Sequence, residues 1–263
     1  MISIIVSIYN SDKTLSKMIE SVLNQTCQNF ELILINDGST DNSLDIVKRF
    51  MKADERIVHI DKENSGLTKS LNIGLKRAKG KYIARIDADD IWKKDKLEKQ
   101  IKFLKENQDY ALVGTAYDEI DELGNIIYLK QRVPLLLQHK DIINNIVKYN
   151  PFLHSSVLFR KDILENIGFY NESFKYTQDY EYWIRIMSQY KVANLEEILT
   201  SRRYSSGMIS IQKEKEQRMY AIKSKLLAVN LLSKSIIEYK YLINDILVYI
   251  LPQVIVNFIR RIK

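Results

Sequence analysis

The chain has a single cysteine, Cys27, in 263 residues, so no intrachain disulfide can staple it, and a reducing, cytosolic setting is expected. Cys27 reads as a small buried hydrophobe at a helix end rather than a nucleophile. The sequence contains no GxxxxGK[ST] and no GxGxxG, which argues against a P-loop NTPase or a dinucleotide oxidoreductase. It has no GxSxG elbow, so His154-Ser155-Ser156 makes a poor serine-hydrolase site. Zinc-finger spacing and an aromatic-basic platform are also missing, and no nucleic-acid partner is expected. The opening MISIIVSIYN lacks a basic region and its apolar run is too short for a signal or a spanning helix, so it reads as a buried strand. There is no internal repeat, and no Gly/Pro-rich linker before about residue 205.

The net charge of +7 is unevenly placed: residues 213–263 hold ten Lys/Arg against four Asp/Glu, leaving the preceding chain nearly neutral. With 46% hydrophobic residues, the length suits one sizeable α/β domain with an appendage. Apolar runs at 2–8, 31–36, 56–60 and 81–86 predict strands, and helical periodicity at 12–25, 41–51 and 67–78 predicts the helices between them. Strand-helix alternation implies a mostly parallel sheet, which collects ligands at the carboxyl ends of its strands. Further strands are predicted at 110–120, 126–133, 156–159 and 192–199, so the sheet should be mixed.

Each early strand ends in a polar cluster: Tyr9-Asn10, the run 36–41, the run 63–66, and the three carboxylates Asp87, Asp89 and Asp90 within KYIARIDADDIW. Any one cluster could be turn or capping chemistry, but four at one edge make a site. In extended chain Asp87 and Asp89 face the same way, and hard oxygen donors with room for phosphate suit Mg²⁺ or Mn²⁺. A calcium loop fails, because Ile91 and Trp92 fall where a ligand and a turn glycine are required. Capping of a helix from about residue 94 would employ one carboxylate, not three.

VSIYN (6–10), NDGSTDNS (36–43), NSGLTKSLNIGLKRAKGKYIARIDADDIW (64–92), PFLHSSVLFRK (151–161) and TQDYEYWIRI (177–186) together resemble the family 2 glycosyltransferases of bacterial surface-polysaccharide type. The resemblance implies a GT-A fold, a nucleotide-sugar donor, expected to be a UDP-sugar, a divalent metal (Mn²⁺ or Mg²⁺) and transfer with inversion. It implies that Tyr9 lies beside the base, with Asn10, Asp37, Lys69, Arg85 and Asp87 also on the donor side. Asp89 is the implied direct metal ligand, with Asp87 beside it, and Asp179 the general base, with Glu181 in reserve. His154, Trp183 and Arg202 fall on the acceptor side with Glu181. Two departures are Leu71, where many relatives carry Arg, and Ser201-Arg202-Arg203-Tyr204, where relatives often carry Tyr-Arg-x-His; here Arg202 or Arg203 would meet phosphate instead.

On this reading residues 1–210 are the catalytic domain, 1–110 its nucleotide-sugar half and 111–210 its acceptor half, and 211–263 form a helical extension. The apolar run 241–259 is interrupted by Asn244-Asp245, Pro252-Gln253 and Asn257, so 241–263 is expected to lie on a membrane surface rather than to span it. A helical pair folded back on the domain, or a homodimer contact, is the alternative. The expected activity is sugar transfer to a saccharide or lipid-linked acceptor at the cytoplasmic membrane face. A noncatalytic sugar-binding module and a nucleotidyltransferase are the competing classes.

Overall fold

A computed structural model describes residues 1–129, 133–204, 213–232 and 238–250. In chain order the elements are β1 (Ile2–Ile8), α1 (Leu15–Leu23), β2 (Phe30–Asp37), α2 (Ser43–Ala53), β3 (Ile57–Lys62), α3 (Leu67–Arg77), β4 (Tyr82–Arg85), β5 (Ile91–Trp92) and α4 (Lys96–Glu106). The second half adds β6 (Tyr110–Ile120), β7 (Ile126–Tyr128), α5 (His139–Asn145), β8 (Leu158–Arg160), α6 (Leu164–Ile167), α7 (Gln178–Met187), β9 (Lys191–Arg203), α8 (Glu214–Leu231) and α9 (Tyr239–Ile250).

The described strands form one sheet in the order β3-β2-β1-β4-β8-β6-β9-β5, with β7 paired to β6. Strands β1 to β4 run parallel, β8 runs against both β4 and β6, and β9 returns parallel to β6. This is the mixed, mostly parallel α/β architecture expected from the strand-helix alternation. Both faces of β1 and β2 are covered, which is why their Ile/Leu/Val runs are continuous. Ile4, Val6 and Ile8 meet Leu15, Met18, Ile19 and Val22 of α1 on one face, while Ile5, Ile33 and Ile35 meet Leu71 and Leu75 of α3 on the other. Helix α3 comes so close that a Cβ on Gly74 would lie 2.5 Å from Ile5 Cγ2.

Several expected boundaries move. The strand predicted at 156–159 begins later, because His154–Ser156 form a 3₁₀ turn that returns the chain to the sheet edge before β8. The strand predicted at 192–199 runs on to Arg203, since β6 stays paired with it to Ile120 opposite Arg203 and β5 adds a second partner at Thr200 and Ser201. The strand predicted at 126–133 is observed only over Ile126–Tyr128, and residues 130–132 lie outside the described residues.

The described part of the C-terminal extension folds back on the domain. Ala228, Val229 and Leu242 are buried in the same core as Trp183 and Tyr180 of α7. Asp245 on α9 pairs with Lys225 (2.6 Å) and Arg218 (3.4 Å) of α8. No helix among the described residues is long and apolar enough to cross a membrane. The boundary placed near residues 205–207 and the basic end 251–263 lie outside the described residues.

Candidate active site

Strand register brings the polar loops together. Ile8 is level with Asn36, Asp37 with Lys62, and Ile5 with Arg85, so β1 to β4 finish at one edge of the sheet. Asn10 sits at φ 48°, a left-handed conformation that asparagine tolerates. Its backbone N–H donates to Ser39 Oγ (3.1 Å), and its Oδ1 accepts from the Thr40 N–H (2.8 Å), joining the first loop to the second. Asp37 joins the second to the third: it pairs with Lys62 and accepts from the Ser65 (2.8 Å) and Gly66 (2.9 Å) N–H groups. Tyr9 is left open at the rim, 52% exposed.

The three carboxylates of the fourth loop have three different environments. Arg85, only 2% exposed, lies beneath Asp87 and holds both its oxygens, while the Ser155 hydroxyl donates to Asp87 Oδ2 (3.0 Å). Asp87 is held below the usual carboxylate range against its burial, chiefly by the charge of Arg85. Asp90 is buried, accepts the Arg203 N–H at 2.8 Å, and is pushed well above that range by burial and by its two acidic neighbours. Asp89 is half-buried and has no ion-pair partner among the described residues; burial first, then the charge of Asp87, push it up to about 6. Arg203 Nε donates to the Asp89 carbonyl (2.9 Å) and its Nη1 to the carbonyls of Asp121 (2.6 Å) and Glu122 (2.9 Å), fixing the loop against the end of β6.

Asp89 and Asp90 thus have no ion-pair partner among the described residues, and Asp89 is the less buried of the two. Among the described residues no group of three or more His, Cys, Asp or Glu is arranged to hold a metal. One or two carboxylates completed by phosphate oxygens and water are what Mg²⁺, and by the same hard-donor chemistry Mn²⁺, commonly accept, so the donor set fits such an ion.

Across the edge, Asp179 stands in the first turn of α7, two residues after Thr177, whose φ is 54°. Its Oδ2 accepts from Asn150 Nδ2 at 2.8 Å. Burial raises its pKa, and it lies near enough to feel the charges of Arg85 and Asp87. It opens on a cavity of about 320 Å³ between α7 and α8.

Several sequence-based expectations need correction. Asn10, Asp37 and Arg85, expected on the donor side, bond within the protein to Thr40, Lys62 and Asp87, which leaves their donor role as an expectation. Glu181 is 2% exposed and clasped by Arg185 (2.7 and 3.0 Å), so it cannot serve as reserve base. Trp183 is fully buried against Phe152 and His154, a core residue rather than an acceptor contact. His154 is buried, bonded to the Tyr170 hydroxyl (3.0 Å), and its pKa is pushed well below the ordinary imidazole value, chiefly by burial. Arg202 pairs with Glu119 (3.6 Å). Lys69 is exposed in the first turn of α3. Sequence reasoning missed Ser155 and Asn150; the Asn150-Pro151 pair was the one visible hint of a fixed turn there.

Residues 3–168 match the family model described as Glycosyl transferase family 2. The chain is 35% identical over 233 residues to the amylovoran biosynthesis glycosyltransferase AmsE of Erwinia amylovora, covering 85% of each chain. Its fold is similar to S. aureus TarS 1-349 in complex with UDP-GlcNAc, with TM-score 0.72 and 18% identity over 93% of this chain and 71% of that one. It is also similar to the mannosyltransferase PcManGT from Pyrobaculum calidifontis in complex with GDP-Man and Mn²⁺, with TM-score 0.64 and 16% identity over 93% of this chain and 68% of that one.

Proposed function

The chain belongs to glycosyl transferase family 2, and on that premise we propose that it moves one sugar from a nucleoside-diphosphate donor, a UDP-sugar, to a hydroxyl of a saccharide acceptor with inversion. The observation that carries this reading is that Asp179, beside a cavity, lies near enough to Arg85 and Asp87 to feel their charges, while Asp89, two residues on, has no ion-pair partner among the described residues. A TarS structure holding UDP-GlcNAc and a mannosyltransferase structure holding GDP-Man and Mn²⁺ share the fold, which supports the donor class and the metal.

Asp89, with Asp87 beside it, would hold Mn²⁺ or Mg²⁺; that ion, when bound, neutralises charge gathering on the departing diphosphate. The protein's own residues do the rest. The exposed ring of Tyr9 offers a face to the base, and Asp37 and Lys62 keep the neighbouring loops in register. Asp179 takes the proton of the acceptor hydroxyl while that oxygen bonds to the anomeric carbon. The bond from that carbon to the diphosphate oxygen breaks, and its electron pair leaves with the nucleoside diphosphate. A carboxylate whose pKa is raised by burial is a better base for this than a solvated one.

The reading places the enzyme in bacterial polysaccharide assembly, the process named for its relative AmsE. Ile243, Leu247 and Ile250 of α9 are exposed, and Arg260, Arg261 and Lys263 follow in the sequence, a composition that supports contact with an anionic membrane surface. The test is a panel of UDP- and GDP-sugars with Mn²⁺, scored for thermal stabilisation and for acceptor-dependent release of nucleoside diphosphate. Release should require a UDP-sugar and cease in excess EDTA; full release in EDTA would remove the metal from the scheme.

A further inference from the structure

The cavity beside Asp179 is not built by the sheet domain alone. Asn150, Thr177 and Asp179 form one wall, and Gln217, Arg218 and Ala221 of α8 form the other. Helix α8 is fastened at the two points that hold the base. Lys225, 6% exposed, donates to the Lys148 carbonyl (3.0 Å), two residues before Asn150, and Ser224 Oγ lies 3.3 Å from Thr177 Oγ1, two residues before Asp179. Helix α8 is thus fixed to the same loops that aim the carboxylate.

The chemistry of the lining narrows what enters. Its cations are already engaged: Arg218 by Glu214 (3.0 Å) and Asp245 (3.4 Å), Lys225 by Asp245 (2.6 Å), and Lys148 by Asn145 Oδ1 (2.7 Å). Asp179, Glu214 and Asp245 balance them in number, so the lining carries no net positive charge to favour a phosphate. The Gln217 side-chain amide makes no hydrogen bond to another described residue, and Tyr149 adds a hydroxyl and an aromatic edge. Neutral donors and acceptors around about 320 Å³, the lower end of small-ligand cavities, suit sugar hydroxyls.

We propose that this cavity is an acceptor subsite for an uncharged saccharide ring, and that Gln217 and Ala221 of α8 determine which ring fits. The proposal rests on the transferase reading above, with Asp179 as base. It makes helix α8 part of the acceptor site rather than an appendage.

The test uses the full chain with Mn²⁺ and the nucleotide sugar that stabilises it. Acceptors are p-nitrophenyl glucoside, galactoside and N-acetylglucosaminide, with p-nitrophenyl glucuronide and glucose 1-phosphate as charged counterparts, and donor hydrolysis by water is followed in parallel. The wild type should transfer to at least one neutral glycoside. Ala221→Trp, which fills the cavity, should lower the ratio of transfer to hydrolysis about tenfold or more. Gln217→Ala, which removes bulk and so guards against a folding failure of the tryptophan variant, should raise the acceptor KM about tenfold and leave the donor KM in place. An unchanged ratio in Ala221→Trp, or transfer to the charged acceptors only or to none, overturns the proposal. A wild type that neither binds a nucleotide sugar nor releases nucleotide brings down the transferase reading and this proposal with it.

Discussion

Arg85 grips both oxygens of Asp87 from beneath, while Asp89, two residues on, has no ion-pair partner among the described residues. The two aspartates should therefore answer differently to the same substitution. Asp87→Asn strands a guanidinium that is 2% exposed, and should cost about 2–4 kcal/mol, toward the lower figure because Asp87 is itself 39% exposed. Asp89→Asn removes a charge that its surroundings disfavour, and should leave the metal-free protein as stable as before or more so. Urea unfolding in EDTA ranks the two, although both variants should lose transfer. Equal destabilisation would mean that Arg85 is not the counter-ion described here.

The same imbalance sets a pH dependence. Asp89 is pushed up to about 6 in the folded chain, from 3.8 for an unperturbed aspartate. The folded state holds this proton more tightly than the unfolded state, so the associated stability is complete below about pH 4 and is lost as pH rises through about 6. In EDTA, the melting temperature of the wild type relative to Asp89→Asn should fall across that window. Mn²⁺ binds the ionised form, so its stabilisation should be large at about pH 7.5 and small at about pH 5. A Mn²⁺ shift of equal size at both pH values, or one that survives in Asp89→Asn, would place the ion elsewhere.

These contrasts also mark where the sequence was legible. The parallel half could be read because β1 and β2 are buried on both faces, so their Ile/Leu/Val runs carry the pattern unaided. The aspartate loop could be read because like charges so close need an explanation. What could not be read was which partners these polar residues take within the fold. Asn10, Asp37 and Arg85 have the chemistry of donor contacts, yet each partner, Thr40, Lys62 and Asp87, depends on register or on how a loop turns. Glu181, two residues after Asp179, is turned to the other side of α7 and onto Arg185, and Trp183, a full turn after Asp179, is buried in the core. The contribution of α8 was hidden for the same reason, since its contacts with Thr177 and Lys148 span 47 and 77 residues of chain.

Asn150 donates to Asp179 Oδ2 at 2.8 Å and so favours the ionised form against the burial that opposes it. Asn150→Ala should raise the pKa of Asp179 further. The acid limb of the rate–pH profile then moves to higher pH, and the plateau rate falls about tenfold as the carboxylate loses its fixed aim. A purely structural role for Asn150 would lower the plateau and leave the limb where it was.

Arg203 and Arg202 are neighbours in β9 with opposite expectations. Arg203, 3% exposed, donates to the carbonyls of Asp89, Asp121 and Glu122, a three-way contact that only a fork of fixed N–H groups can make. Arg203→Lys keeps the charge but leaves at least one of those carbonyls without its donor, and the loop that carries Asp89 loses its anchor to β6. The Mn²⁺ concentration for half-maximal activity should rise about tenfold, the size seen when groups that orient a metal ligand are removed. Arg202 makes a single 3.6 Å ion pair with Glu119, and lysine can make the same contact, so Arg202→Lys should leave the Mn²⁺ requirement unchanged. Metal titrations of the two variants side by side decide the matter: if both shift alike, charge near the strand end is what counts, and the loop anchor described for Arg203 is wrong.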